Sequence, residues 1–277
     1  MHIKVIGQGP DLVMLHGWSM NSAVWHDLAE SLANNFTLHL VDLPGHGQSS
    51  WQENALEIEV LVDNLASKLP ESAYWLGWSL GGLISIAFTN RFPERVNKLI
   101  LIAATPCFVQ KEDWSCAMDV AIFKQFADHL NTNQTETLQR FLVLQARGSQ
   151  HSRETIRRLS EQLAIESPPK AQALQAGLKL LIEMDMRNEL SAIPCPIKMI
   201  LGDRDTLIPK QMLHYAKQIQ TNVQTSLLAG ASHAPFISQA VECQQQIEHF
   251  LNDRPLHEID FCSEQGKNNA KSGVYTE

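Results

Sequence analysis

No two of the five cysteines stand in a C-x-x-C pair, and their number is odd. Cys107, Cys116, Cys195, Cys243 and Cys262 therefore suggest neither a disulfide framework nor a zinc site, and reduced thiols in a cytoplasm are expected. Positive charge is also scarce, with 22 Lys and Arg against 30 Asp and Glu and a formal net charge of −8. A chain of that sign lacks the cationic surface that non-specific nucleic-acid binding requires, and an acidic partner would have to find a local basic patch. Long apolar runs are missing too: nothing approaches the roughly 20 residues of a membrane span. The opening MHIKVIGQGPDLVMLHG has neither the basic start nor the continuous apolar stretch of a signal peptide. No nucleic acid, no membrane and a cytoplasmic location are the expectations.

What is present is an alternation. Within 277 residues, enough for one large α/β domain, strand-like apolar runs alternate with amphipathic ones. DLVMLHG, FTLHLVDLPGHGQS, SAYWLGWS and VNKLILIAA read as strands ending in loops, and the stretches between them carry helical spacing. That pattern belongs to a doubly wound, mostly parallel sheet covered on both faces. It breaks from about residue 105 to 188, where only helices are read, with Asn133 and Glu136 resembling a capping box and Pro168-Pro169 suiting a helix start. This stretch is rich in apolar residues and is expected to be an inserted helical lid, 105–188, on a core formed by 1–104 and 189–252. Strand logic returns at CPIKMILGDRDTLIP and VQTSLLAGASHAPF, and residues 253–277 read as a disordered tail.

Chemistry enters at YWLGWSLGG. Ser79 lies in Gly77-Trp78-Ser79-Leu80-Gly81, a G-x-S-x-G between a strand and a helix, where the glycines allow a strained turn to present a nucleophile. A serine hydroxyl needs a base and an acid that fixes the base's tautomer. Of the eleven histidines, His26, His129, His151, His214 and His249 lie in polar helical stretches, whereas His233 follows a strand and precedes a helix. Loops at the carboxyl ends of strands are where such sheets place their functional groups. Asp203 and Asp205 compete for the acid; Asp205 is chosen, three residues beyond Gly202, and Asp203 is read as a turn residue. The oxyanion donors are expected to be the backbone N–H groups of Leu80 and Trp18. His16 and His46 are read as structural. The order Ser, Asp, His is that of the α/β-hydrolase triad.

Together LHGW, DLPGHGQS, LGWSLGG, GDRDTLIP and ASHAPFIS resemble the α/β-hydrolase superfamily over nearly the whole chain to about residue 252. LHGWSM, FTLHLVDLPG, YWLGWSLGGL, RFLVLQ and SHAPFIS are similar, more closely, to the pimeloyl-[acyl-carrier protein] methyl ester esterases of biotin synthesis. The resemblance implies a cytoplasmic, monomeric serine carboxylesterase without cofactor or metal, acting on an ester borne by an acyl carrier protein. It implies substrate contacts from Trp18, Ser79, Leu80, Phe141, Leu142, Val143, Leu144, Gln145 and His233. The carrier is acidic, and Arg140, Arg153 and Arg157 are the expected contacts. Between residues 140 and 158 five arginines accompany one acid, Glu154, although Glu136 stands where family members can carry another basic residue. A short-chain carboxylesterase or C–C bond hydrolase would use the same triad, and a ligand receptor on the hydrolase fold would retain it. A haloalkane dehalogenase would need a carboxylate where Ser79 stands.

Overall fold

Seven strands form one sheet in the order β1-β3-β2-β4-β5-β6-β7. In chain order they are β1 His2–Gly7, β2 Asp11–Leu15, β3 Thr37–Asp42, β4 Ala73–Trp78, β5 Val96–Ile102, β6 Ile197–Gly202 and β7 Val223–Leu228. The computed structural model describes residues 1–252; the expected tail and Cys262 lie outside the described residues. All pairings are parallel except that of β1, an edge strand running antiparallel to β3. The helices are α1 His26–Leu32, α2 Ile58–Ala66, α3 Leu80–Arg91, α4 Val120–Thr132, α5 Gln134–Ala146, α6 Ser152–Ala164, α7 Ala171–Glu183, α8 Arg187–Ala192, α9 Met212–Ile219, α10 Pro235–Ser238 and α11 Ala240–Asn252. None of the described helices is long and apolar enough to cross a membrane.

The period of two in each strand sorts the core into two layers. Val13, Leu15, Val41, Trp75, Leu99, Leu101, Met199 and Leu201 face one side, packed with α2, α3 and the inserted helices. Leu12, Met14, Leu38, Leu40, Leu76, Ile100, Ile102 and Ile200 face the other, packed with α1 and α11. Strands buried on both faces read as continuous apolar runs, which is why DLVML and LILI stand out in the sequence. HIKVIG, half-exposed at the edge, does not.

Helices α4 to α7 lie between β5 and β6. A bridge between Cys107 and Asp185 ties the two ends of the insertion together. Asn133 caps α5 by accepting the Glu136 N–H at 3.1 Å, while its amide donates to the Glu136 carboxylate. The expected boundary at 188 falls inside α8, which packs on α3 and α9 and so adjoins the core. Helix α2 ends at Ala66, short of Pro70, because the Ser67 hydroxyl turns back onto the Asn64 carbonyl and Lys68 N–H bonds Leu65 in a tightened last turn.

Candidate active site

The sharp turn between β4 and α3 sets the geometry. Ser79 sits at φ 54°, a left-handed conformation that costs a side chain of order 1–3 kcal/mol. The turn tolerates it only because its neighbours are bare: a Cβ on Gly77 would collide with the Gly81 backbone, and one on Gly81 with the Leu15 and His16 carbonyls. The sequence writes glycine two residues either side of Ser79 for this steric reason.

Two further loops, after β6 and β7, bring their side chains to the same edge. His233 Nε2 lies 2.9 Å from Ser79 Oγ, and His233 Nδ1 lies 2.8 Å from Asp205 Oδ2. A carboxylate only accepts, so Nδ1–H donates to Asp205 and Nε2 keeps its lone pair toward the serine hydroxyl. Asp205 is itself held, its Oδ1 accepting the N–H groups of Leu207 at 2.8 Å and Ile208 at 3.0 Å. Asp203 faces elsewhere, accepting the Gly230 N–H at 2.7 Å. The imidazole's backbone is clamped from two sides: Trp78 Nε1–H donates to the His233 carbonyl at 2.7 Å, and His233 N–H donates to the Gln145 carbonyl at 3.0 Å. Trp78 is the first x of the motif, and only its aromatic bulk in a crowded turn hints at this task.

Leu80 is the first residue of α3, so its N–H has no acceptor one turn back. Trp18 lies in the loop after β2, fixed by its indole N–H donating to the Leu174 carbonyl of α7 at 2.8 Å. The Phe141 ring meets Trp18 edge-on with centroids 4.7 Å apart. Gly177 of α7 packs against both Trp18 and Leu80. The insertion therefore lies directly on the expected oxyanion residues, and Ser79 is only 4 % exposed.

Within the segment 141–145 the helix turns some residues in and one out. Phe141, Leu142 and Gln145 are buried, Leu144 is half-buried, and Val143 is 53 % exposed on the opposite face of α5, away from the triad. Gln145 carries a signal that its sequence did not: both polar atoms of its buried amide have no partner among the described residues. The hydroxyls of Ser19 and Ser232, neighbours of Trp18 and His233, are likewise buried and have no partner among the described residues. A buried polar group left unpaired costs about 1–3 kcal/mol, so these groups are poised to gain from a ligand or water.

The expected carrier contacts are not three free cations. Arg140 is bonded to Glu136 at 2.6 Å, and Arg157 to both Glu154 and Glu161 at 2.5 Å. Those two carboxylates hold the Arg157 guanidinium more firmly protonated, Glu154 first. Arg153 is exposed and has no carboxylate partner among the described residues.

His16 and His46 lie against each other beneath the loop, their ring centroids 5.2 Å apart and their planes tilted by 55°. His16 Nδ1–H donates to the Gly17 carbonyl at 2.8 Å while its Nε2 accepts the Leu43 N–H at 3.0 Å, which fixes a neutral ring. Burial pushes His46 down to about 3 from 6.5, with its neighbour His16 adding to the effect. Between those pH values the unfolded chain takes up this proton and the folded chain does not. Stability is thus complete above about pH 6.5 and declines as pH falls, by roughly 1.4 kcal/mol per unit. Going from pH 7 to 5 is expected to cost about 2 kcal/mol through this ring, read as a lower urea midpoint. His46→Asn should make that decline shallower, leaving the part due to His16, whose pKa burial also lowers; an equally steep decline in the variant would contradict it.

A family model described as the alpha/beta hydrolase fold matches residues 10–240. A pimeloyl-[acyl-carrier protein] methyl ester esterase of Xylella fastidiosa strain 9a5c is 42 % identical over 257 residues, 92 % of this chain and 100 % of its own. The protein of that name from Aeromonas hydrophila is 40 % identical over 250 residues, 90 % of this chain and 98 % of its own. Among solved structures, an esterase from Exiguobacterium antarcticum superposes with a TM-score of 0.82 at 19 % identity, covering 91 % of this chain and 95 % of that one. That last likeness concerns the fold alone.

Proposed function

Because the chain belongs to the α/β-hydrolase fold family and, within it, to the pimeloyl-[acyl-carrier protein] methyl ester esterases, we infer that Ser79, His233 and Asp205 are its catalytic triad. The protein is a carboxylic ester hydrolase, and its reaction is hydrolysis of pimeloyl-[acyl-carrier protein] methyl ester to the free carboxylate and methanol. The observation that carries the residue assignment is the unbroken hydrogen-bond chain from Ser79 Oγ through His233 to Asp205 at the strained turn.

In this reading Ser79 Oγ attacks the ester carbonyl carbon as its proton passes to His233 Nε2. Asp205 Oδ2 stabilises the imidazolium that results. The carbonyl oxygen, now an anion, is received by the N–H groups of Leu80 and Trp18, each donor being worth roughly 3 kcal/mol in such sites. Collapse of this intermediate breaks the bond to the methoxy group, which leaves as methanol with the His233 proton. Water then adds to the acyl-enzyme, His233 takes its proton, and the carboxylate departs as Ser79 recovers its hydrogen. Phe141, Leu142 and Gln145 line the acyl path beside Trp18, with the orphaned Gln145 amide turned to the substrate. Substrate reaches the buried serine only when the insertion shifts.

The same reading makes residues 105–188 a lid and the enzyme a cytoplasmic monomer. Incubation with the carrier-bound methyl ester is expected to release methanol over many turnovers. Release that stops after a single equivalent per enzyme would instead favour a ligand receptor.

A further inference from the structure

We propose that Gly177, midway along α7, is a positioning residue for the oxyanion hole: its bare Cα lets the insertion seat directly on Trp18 and so fixes where the Trp18 N–H points. Gly177 takes this role on the esterase reading above, in which the N–H groups of Trp18 and Leu80 receive the oxyanion. Glycine is disfavoured in a helix interior, and α7 is otherwise built of good helix formers, AQALQAGLKLLIE. No backbone conformation calls for it, since Gly177 is not among the residues of positive φ. The reason is a close approach. A Cβ at this position would lie 2.8 Å from Trp18 Cδ1, 3.2 Å from Trp18 Nε1 and 3.3 Å from Leu80 Cδ2. One point on the insertion thus touches both expected donors.

The two donors are held differently. Leu80 belongs to α3 and to the turn after β4, where core backbone sets its place. Trp18 stands in the loop after β2, whose far end is pinned where the Ser22 N–H donates to Asp42 at 2.7 Å. Between these anchors Gly17–Met20 form a turn, with the Met20 N–H donating to the Gly17 carbonyl at 3.3 Å and Ser19 at φ 68°. The Trp18 side chain is held by the insertion. Its indole N–H donates to the carbonyl of Leu174, three residues before Gly177 on the same face of α7, and the Phe141 ring of α5 packs edge-on against it. A buried ring bonded to one turn of α7 and pressed by the next cannot rotate away from an added methyl without losing the Leu174 bond, so the loop backbone shifts with it. Ala173, one turn before Gly177, seats α7 in the same manner on Gly45, whose carbonyl accepts the Lys170 N–H at 2.9 Å. When α7 lifts to admit substrate the Leu174 bond breaks, and closure restores it. Enclosure of the substrate and alignment of the Trp18 donor are therefore one movement.

The test sets wild type beside Gly177→Ala, Trp18→Ala and the double variant, with carrier-bound pimeloyl methyl ester and free dimethyl pimelate as substrates and a melting curve for each protein. A trifluoromethyl ketone of matching chain length serves as probe: Ser79 Oγ bonds to the ketone carbon as its proton passes to His233, and the ketone oxygen becomes an anion facing the donors. Gly177→Ala is expected to lower kcat about tenfold or more while KM stays within about threefold, and to weaken the ketone by the same factor as kcat/KM. Affinity for the uncharged ester, measured on the Ser79→Ala background, should hold within about threefold. That split separates positioning from packing, because a helix that merely fits badly has no reason to discriminate the anion from the ester. On the Trp18→Ala background the same methyl should cost less than about twofold in kcat, since the ring through which it acts is gone. This comparison stands even where Gly177→Ala alone fails to fold. Unchanged kcat in a folded Gly177→Ala, a loss confined to KM, or an undiminished loss on the Trp18→Ala background overturns the role of Gly177 and leaves the esterase reading standing. A wild type that cleaves neither ester and does not take up the ketone overturns both.

Discussion

Ser79→Ala is expected to lower kcat/KM for ester hydrolysis by about 10⁴ to 10⁶ while leaving the melting temperature nearly unchanged. The serine hydroxyl's partner is His233 Nε2 at 2.9 Å, and the backbone strain at φ 54° is borne equally by alanine, which keeps the Cβ. Removing the oxygen therefore removes the nucleophile without opening a cavity of consequence. The base and the oxyanion donors survive, so a residual rate above that in water should persist from positioning alone. Steady-state rates on a free ester and a thermal melt make the check. Activity within tenfold of wild type would mean that another group attacks the carbonyl.

Asp205→Asn should cost about 10⁴ in kcat, nearly as much, by a different route. An amide in place of the carboxylate can turn its NH₂ toward His233 Nδ1, which then has to accept. The ring proton moves to Nε2, where the lone pair needed by Ser79 is lost. The Leu207 and Ile208 N–H groups can still be met by the remaining oxygen, so the loop should keep its shape. Asp203→Asn is the internal comparison, since that carboxylate serves the Gly230 N–H and touches no triad member in this arrangement. Its effect on kcat should stay below about tenfold. A larger loss at position 203 than at 205 would reverse the assignment of the acid.

The legible parts of this molecule are those where one local constraint dominates. Gly77 and Gly81 are written into the sequence because backbone atoms occupy the space of their Cβ atoms, and that constraint marks Ser79. His233 stands out because it alone of the histidines considered sits between a strand and a helix at the functional edge. The doubly wound sheet follows from strands buried on both faces, whereas β1, paired along only one edge and half-exposed, leaves no such run. The two acids two residues apart could be ranked by offset, but only the bonds at Gly230 and His233 distinguish their tasks.

Other features depend on what the chain brings together from afar. Counting five arginines against Glu154 between residues 140 and 158 suggested a strongly cationic face. Just outside that window stand Glu136, which the sequence already marks as a departure, and Glu161, which the count leaves out; each is one helical turn from an arginine and ion-paired with it. Arg204 lies 46 positions beyond that window's end at Arg158, so its approach to Gly148 has no sequence signature. The clamp of Trp78 on the His233 carbonyl and the grip of Gln145 on its N–H join residues far apart in sequence through backbone atoms, which residue identity does not encode.

The most direct measurement is the intact mass of the carrier protein after pimeloyl-carrier methyl ester is incubated with enzyme. The account predicts conversion of the methyl ester to the free acid with the acyl chain still attached through its thioester, in wild type and not in Ser79→Ala. A carrier that returns unchanged while small free esters are hydrolysed would contradict it. So would a carrier stripped of its whole acyl chain, which would make the enzyme a thioesterase.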